Sequence, residues 1–291
     1  MLEVMPLLII NWLVKVTLWP KFLGEILKKL MLNSVNYIHP NAKIASNVTI
    51  DPFTMIHENV KIGKNTWIGS NVTIMDGARI GANCKIFPGA VISAVPQDLK
   101  FNGEDSLAKI GDYSVVRECV TINRGTSANG VTQIGKHCLI MAYSHIAHDC
   151  SIGNFCIFSN NSTLAGHVKI GNYVVLSGLT AIQQFCSVGD FAFISGGSKV
   201  RKDIPPFIKV AREPLSFIGV NSIGMERNEV DKDRIKSIKN LYRILFKSNL
   251  NISSAIKIIK EEIETTKDRN AILEFIEKSS QGIVRGYDQK S

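Results

Sequence analysis

Residues 134–164 read IGKHCLIMAYSHIAHDCSIGNFCIFSNNSTL, and every sixth position is large and apolar: Ile134, Ile140, Ile146, Ile152, Phe158 and Leu164. The beat continues through Ile170, Leu176, Ile182, Val188 and Ile194 to Val200. Upstream it is an unbroken isoleucine series from Ile38 to Ile92, and it returns at Ile110, Val116 and Ile122. Four residues after each beat stands a small or β-branched residue, as at Ala42, Val48, Thr54, Val60, Ala78, Cys84 and Ala90. A glycine often follows the beat directly, as at Gly63, Gly111 and Gly153.

A period of six fits neither an amphipathic helix nor an alternating strand. It fits a parallel β-helix, in which three short strands turn one triangular coil of about 18 residues. The large residue fills the prism, the small one fits the narrower place beside it, and each coil covers the next. The 25 beats predict about eight coils and, at ~4.8 Å per coil, a prism roughly 38 Å long.

The beat lapses twice, between Ile92 and Ile110 and between Ile122 and Ile134. Both lapses read as loops thrown out from a rigid scaffold, where binding residues tend to collect. Asp203-Ile-Pro-Pro206 stops the prism, and residues 207–230 read as an irregular connection. Beyond it the period turns helical. Ile235, Ile238, Leu241, Tyr242, Leu245 and Phe246 mark one helix face. Ser253 or Ser254 is expected to cap a second helix and Asp268 a third. The expected division is therefore 1–32 an N-terminal extension, 33–206 the prism, 207–230 the connection and 231–291 a small helical domain.

The chain has 291 residues and a net charge of +9, which points to an acidic partner or anionic substrate. No basic patch interleaved with aromatics appears, so nucleic acid is not expected. Five of the six cysteines, Cys84, Cys138, Cys150, Cys156 and Cys186, occupy the small-residue position. They read as reduced core residues of a cytoplasmic protein rather than disulfide partners; Cys119 falls outside the pattern. Met5 to Trp19 is apolar but interrupted by Asn11, Lys15 and Thr17. It is too short for a confident span and lacks the marks of a signal peptide, so no stable membrane insertion is expected. An extension upstream of Met31 is the expectation for residues 1–30, with a membrane-surface helix as the second reading.

Three of the six histidines cluster, His145, His148 and His167. Indexed on an 18-residue coil, Gly166 lies one coil from His148, His167 one coil from Asp149, and Gln184 one coil beyond Gly166. These residues are expected to converge on one outward-facing patch. A neutral imidazole beside a carboxylate suits a general base for a hydroxyl. A glycine amide about 5 Å away suits an oxyanion. Together they point to acyl transfer. Three histidines on adjacent coils also suit zinc completed by water. Asp149 next to His148 is better suited to orienting a base, so no metal or other cofactor is expected.

The runs His145-Ile-Ala-His-Asp-Cys150, Leu164-Ala-Gly-His-Val168, Gln184-Phe-Cys186, Pro205-Pro206, Gln97-Asp-Leu-Lys100 and Gly219-Val-Asn221 resemble the UDP-N-acetylglucosamine O-acyltransferases, the enzymes of the first step of lipid A synthesis. The resemblance runs from about Met31 to Arg285. It implies a left-handed parallel β-helix followed by a small α-helical C-terminal domain, and a cytoplasmic homotrimer with active sites between prisms. It implies transfer of a 3-hydroxyacyl group from acyl carrier protein to the 3-hydroxyl of UDP-N-acetylglucosamine. His148 would be the base, Asp149 its partner and the Gly166 amide the oxyanion donor. His145, His167 and Gln184 would position substrate. Asp98 and Lys100 would meet the sugar nucleotide or acyl chain, Asn221 and Arg227 the uridine and phosphate, and Gly196 would gauge acyl length. The chain departs from the family at Gln183, often His, and at Asn228, often Arg. Lys232, Lys236, Lys239 and their basic neighbours would meet the acidic carrier. Three rivals remain: the later N-acyltransferase of the same pathway, a zinc-dependent carbonic anhydrase of the same prism design, and a non-catalytic trimeric scaffold.

Overall fold

The beat places a large apolar residue at the second position of each two-residue strand, and the strands stack because those residues have nowhere else to go. The structure is a computed structural model that describes residues 36–248 and 250–286; the readings of residues 1–30 lie outside them. Three sheets form the faces of a prism. The first holds nine strands from Tyr37–Ile38 to Lys199–Val200, and the second holds eight from Lys43–Ile44 to Ser187–Val188. The third runs from Thr49–Ile50 to Phe193–Ile194 and adds two strands at its end. The chain visits the sheets in rotation, so neighbours within a sheet are parallel and one coil apart, as in His145↔Thr163 and Ile146↔Leu164.

Each beat residue points inward. From Ile56 to Val200 the beat residues are at most 5% exposed. The small position is equally buried, and where it is polar its hydroxyl serves the backbone. Ser114 Oγ donates to the Gly135 carbonyl (2.9 Å) and accepts from the Cys138 amide (3.1 Å). The five cysteines at this position are buried free thiols, and Cys119 is exposed. Burial pushes the Cys84 thiol up to about 11, as expected for inert core residues.

The two lapses are insertions at one corner. The usual step between stacked residues is 18, but Ile92 pairs with Ile122 and Ile122 with Ile146. Both loops therefore leave the first sheet and rejoin the second, on the two coils directly preceding the His148 turn.

The region beyond the prism differs from the sequence reading in two ways. Residues 207–230 are not irregular. Ile208–Ala211 adds to the third sheet in parallel, Ser216–Val220 pairs back antiparallel, and a short helix α1 spans Ser222–Glu226. The alternation was masked because these strands face both the prism end and the helices. Helices α2 (Lys232–Lys247), α3 (Ile252–Glu262) and α4 (Lys267–Lys278) follow. The cap of α3 is Asn251, not Ser253 or Ser254, and the cap of α4 is Thr266, not Asp268. In each case a polar side chain one or more positions earlier reaches the free amides first. Asp268 instead holds Arg234 of α2 through two hydrogen bonds of 2.7 and 2.8 Å. Helix α2 presents Ile235, Ile238, Leu241, Tyr242 and Leu245 to the interior, and the Tyr242 hydroxyl donates to the Pro206 carbonyl (2.6 Å). This seats the helices on the end of the prism.

Candidate active site

The site is built on the corner where the first sheet turns into the second. The turns of these coils carry a residue in the left-handed region three positions after the beat, Asp149 (φ 60°), His167 (62°) and Phe185 (68°). Stacking one coil apart, His167 N donates to the His148 carbonyl (3.0 Å) and Phe185 N to the Gly166 carbonyl (3.2 Å). The repeat thus places His148, Gly166 and Gln184 in one column and Asp149, His167 and Phe185 in the next.

His148 Nδ1 lies 2.8 Å from Asp149 Oδ2. Asp149 Oδ2 also accepts the Thr126 hydroxyl (2.6 Å), and Oδ1 accepts the Thr126 amide (3.0 Å). Burial pushes the Asp149 carboxyl up, but the Thr126 hydroxyl, His148 and the Thr126 amide together pull it below its ordinary value. An ionised carboxylate only accepts, so the hydrogen sits on His148 Nδ1 and Nε2 keeps its lone pair. The ring lies over Gly166: a Cβ there would come within 2.6 Å of Cε1 and 2.7 Å of Nε2. Position 166 must be glycine for the imidazole to keep this place. The Gly166 N–H donates no hydrogen bond among the described residues.

One expectation is corrected. The pair is not on an open outward-facing patch: His148 is 8% and Asp149 3% exposed, because the 123–130 loop folds over the turn. His167 stands edge-on to His148, ring centres 5.1 Å apart, and stacks on Phe185 at 4.8 Å. Its Nε2 is 3.9 Å from Asp149 Oδ2. His145, on the strand before, bonds Thr121 Oγ1 through Nδ1 (2.7 Å), and burial lowers its pKa. Gln184 is exposed one coil beyond Gly166.

Of the remaining expected residues, Asp98 and Lys100 lie in the first loop, inserted at this same corner, whereas Asn221, Arg227 and Gly196 stand at the other two. Asp98 Oδ1 accepts the Lys100 amide (3.0 Å) in the first loop, beside a fully exposed Leu99. Asn221 caps α1: its Oδ1 accepts from the Gly224 amide (3.2 Å) and its Nδ2 donates to the Phe191 carbonyl (2.9 Å). It is 5% exposed and stands at the next corner of the prism, between the second and third sheets. Arg227 is exposed beside it. Gly196 lies at the third corner, where a Cβ would meet the Gly178 carbonyl oxygen at 3.2 Å and the Ser177 Cβ at 3.8 Å. It is Gly197, not Gly196, that takes the left-handed turn conformation (φ 70°).

The sequence reading missed Thr126 and Phe185. Thr126 lies in the second lapse, where the six-residue period is suspended and no coil index places it, whereas Phe185 falls three after Ile182, one coil from His167. His148, Asp149 and His167 do bring possible ligand atoms within 4.8 Å of one another. Yet the Asp149 side chain is wholly buried, with Oδ2 bound to the Thr126 hydroxyl and His148 Nδ1 and Oδ1 to the Thr126 amide, an arrangement that orients a base.

Comparisons with family profiles, with curated proteins and with solved structures agree. A family profile described as UDP N-acetylglucosamine O-acyltransferase, domain 2, matches residues 203–284, and one for the bacterial transferase hexapeptide matches 59–94 and 132–166. An acyl-[acyl-carrier-protein]–UDP-N-acetylglucosamine O-acyltransferase of a Sulfurihydrogenibium species is 55% identical over 85% of this chain and 94% of its own length. One from Chlorobium phaeobacteroides is 56% identical over 86% and 96%. The solved UDP-N-acetylglucosamine acyltransferase of Bacteroides fragilis superposes with TM-score 0.85 at 46% identity, covering 87% of this chain and all of that one. With the three-sheet parallel topology, these matches identify the prism as a left-handed parallel β-helix carrying a small C-terminal helical domain.

Proposed function

We infer the reaction from one premise: the chain belongs to the UDP-N-acetylglucosamine O-acyltransferase family, and its His148–Asp149 pair is placed to activate a sugar hydroxyl. The enzyme moves a 3-hydroxyacyl group from acyl carrier protein to the 3-hydroxyl of UDP-N-acetylglucosamine, the first step of lipid A synthesis. The observation that carries the roles is the Nδ1-bound imidazole lying over the Gly166 amide.

His148 Nε2 takes the proton of the 3-hydroxyl as that oxygen bonds to the thioester carbonyl carbon. The carbonyl oxygen becomes an oxyanion, stabilised by the Gly166 N–H, which has no other acceptor among the described residues. The intermediate collapses with cleavage of the carbon–sulfur bond. The proton on His148 passes to the leaving sulfur, which restores the neutral imidazole and releases carrier thiol and ester. Asp149 stays ionised throughout and steadies the imidazolium in between. His145, His167 and Gln184 border the acceptor side, and no step calls for a metal.

The outward faces support association of copies. The third sheet presents Trp67, Val115, Leu139, Ile157, Val175 and Phe193, interrupted by Lys85, and the first presents Met55, Val91, Thr121, Thr163 and Ala181, ending at Lys199. The second presents Lys43, Lys61, Arg79, Lys109 and Lys169, a face for solvent. In a closed homotrimer the first sheet of one copy would meet the third of the next. Their outer edges would then join the His148 corner to the neighbour's Asn221–Arg227 corner, completing a site that one chain holds in two separated halves. Asp98 and Lys100 would reach the sugar nucleotide from the same corner as the base. Lys236, Lys239 and Lys247 of α2 form no ion pair among the described residues, which suits an acidic carrier. Among the described residues no helix is long and apolar enough to cross a membrane, and the substrates and buried thiols suit the cytoplasm.

The test is mass spectrometry of the product from UDP-N-acetylglucosamine and a panel of 3-hydroxyacyl carriers, with light scattering for the trimer. A mono-acylated sugar nucleotide is expected. Acylation of an amine, or no acylation of the N-acetyl sugar, would reassign the chain.

A further inference from the structure

We propose that Thr126 is the positioning residue that sets Asp149, and through it His148, for proton transfer; this rests on the reading of His148 as the base. Thr126 is 5% exposed and is directed at the carboxylate by both of its donors, hydroxyl to Oδ2 and amide to Oδ1. A carboxylate beside a histidine can turn about its own axis and offer either oxygen, or slide off the ring nitrogen. Two donors from one residue remove that freedom and leave Oδ2 facing His148 Nδ1. From behind, the Asp149 amide donates to Thr132 Oγ1 (2.8 Å), so the backbone of the turn is fixed as well.

Thr126 is itself held. Ser127 N donates to Glu104 Oε1 (2.8 Å) in the first inserted loop, Gly130 N to the Thr126 carbonyl (2.7 Å), and Asn123 Nδ2 to the Val95 carbonyl (3.1 Å). The two insertions brace one another across the base. This explains their place on the coils directly before His148, which a tolerated surface insertion would not need.

The hydroxyl has a second consequence. It shares the charge on Oδ2 with the His148 N–H, which weakens the hold of Asp149 on the imidazolium. The titratable groups facing that carboxylate are His148, at 2.8 Å, and His167, at 3.9 Å. Thr126→Val keeps the shape and the amide bond and removes only the hydroxyl. Oδ2 then bears its charge alone, His148 becomes a stronger base, and the acid limb of the pH–rate profile moves to higher pH.

The experiment measures kcat, KM for UDP-N-acetylglucosamine, the pH profile and the melting temperature for wild type, Thr126→Val, Thr126→Ser and His148→Ala. Loss of a hydrogen bond to a charge corresponds to a fall in kcat of roughly ten- to a hundredfold. The expected result for Thr126→Val is that fall, with KM within about twofold, the acid limb displaced upward, and recovery of both in Thr126→Ser. An unchanged kcat, an unmoved limb, or a serine variant as poor as valine overturns the proposal. A fall in melting temperature with kcat and pH limb intact assigns Thr126 to stability alone. If His148→Ala retains activity, the base assignment fails instead, so the two failures are separable.

Discussion

Two corners of the prism use the same turn for opposite ends. At the corner between the second and third sheets, the left-handed position holds Tyr113, His137, Phe155, Tyr173, Phe191 and Phe207. The first five rings stack face to face at 4.6–4.9 Å, forming a ladder along the edge. At the corner between the first and second sheets, the same position holds Asp149, His167 and Phe185. There the stack survives only between His167 and Phe185, and His148 turns edge-on to His167. Non-glycine residues in this conformation carry a backbone cost. On one corner ring stacking offsets it; on the other a carboxylate is turned inward beneath an inserted loop. The backbone repeat supplies a row of equivalent positions, and function occupies the row that insertions cover.

The comparison is broken most severely from the core both corners share. Ile152 is 2% exposed and lies between the Asp149 and Phe155 turns. Ile152→Asp would bury an unpaired carboxylate, at a cost well above ~2 kcal/mol. Insoluble or unfolded protein is expected; a soluble protein with an unchanged melting temperature would contradict the repeat phase.

His148→Ala sharpens the comparison from the chemical side. A loss of about 10²- to 10⁴-fold in turnover is expected with the melting temperature nearly unchanged; activity within tenfold of wild type would remove the base. Phe155→Ala probes the other corner. It deletes two stacked pairs, with His137 and Tyr173, at about 0.5–1.5 kcal/mol each. A lowered melting temperature follows, and an unchanged one would make the ladder incidental.

Asp149 links the corner to pH. Its carboxyl is held below the ordinary value of 3.8, so it contributes stability that is full above that pH and fades as pH falls through the depressed value. Chemical denaturation of wild type and Asp149→Asn across the acid range should show a stability gap that is constant above about pH 4 and narrows below it. A gap that widens on acidification would reverse the sign.

The smallest effect belongs to the third corner. Gly196→Met should fold, since Gly196 does not need a left-handed conformation and the Gly178 carbonyl need shift only a few tenths of an ångström from the new Cβ, and should shift donor preference toward shorter 3-hydroxyacyl chains by blocking the space beside Gly196. Competition between short and long donors reads this directly, and an unchanged ranking in a folded variant removes the gauge.

Much of the site was legible because a periodic fold turns sequence distance into spatial distance. Eighteen residues is one coil, so His148, Gly166 and Gln184 could be stacked on paper, as could the cysteines in the core. The loops resisted, because an insertion suspends the period and with it the means of placing Thr126. The helix caps resisted too: Asn251 and Thr266 compete with neighbours of similar chemistry, and the winner depends on where the preceding chain enters.

The sequence by itself determined the prism, its core and the column that carries the base, since all three follow from a six-residue spacing of large side chains. Only the tertiary structure decided that the base pair is covered rather than exposed, and that Asp149 is gripped by Thr126. It also decided that Asn221 stands at a different corner from His148. Those facts depend on where aperiodic loops fold back and which neighbour reaches a free donor or acceptor, and no spacing along the chain encodes that.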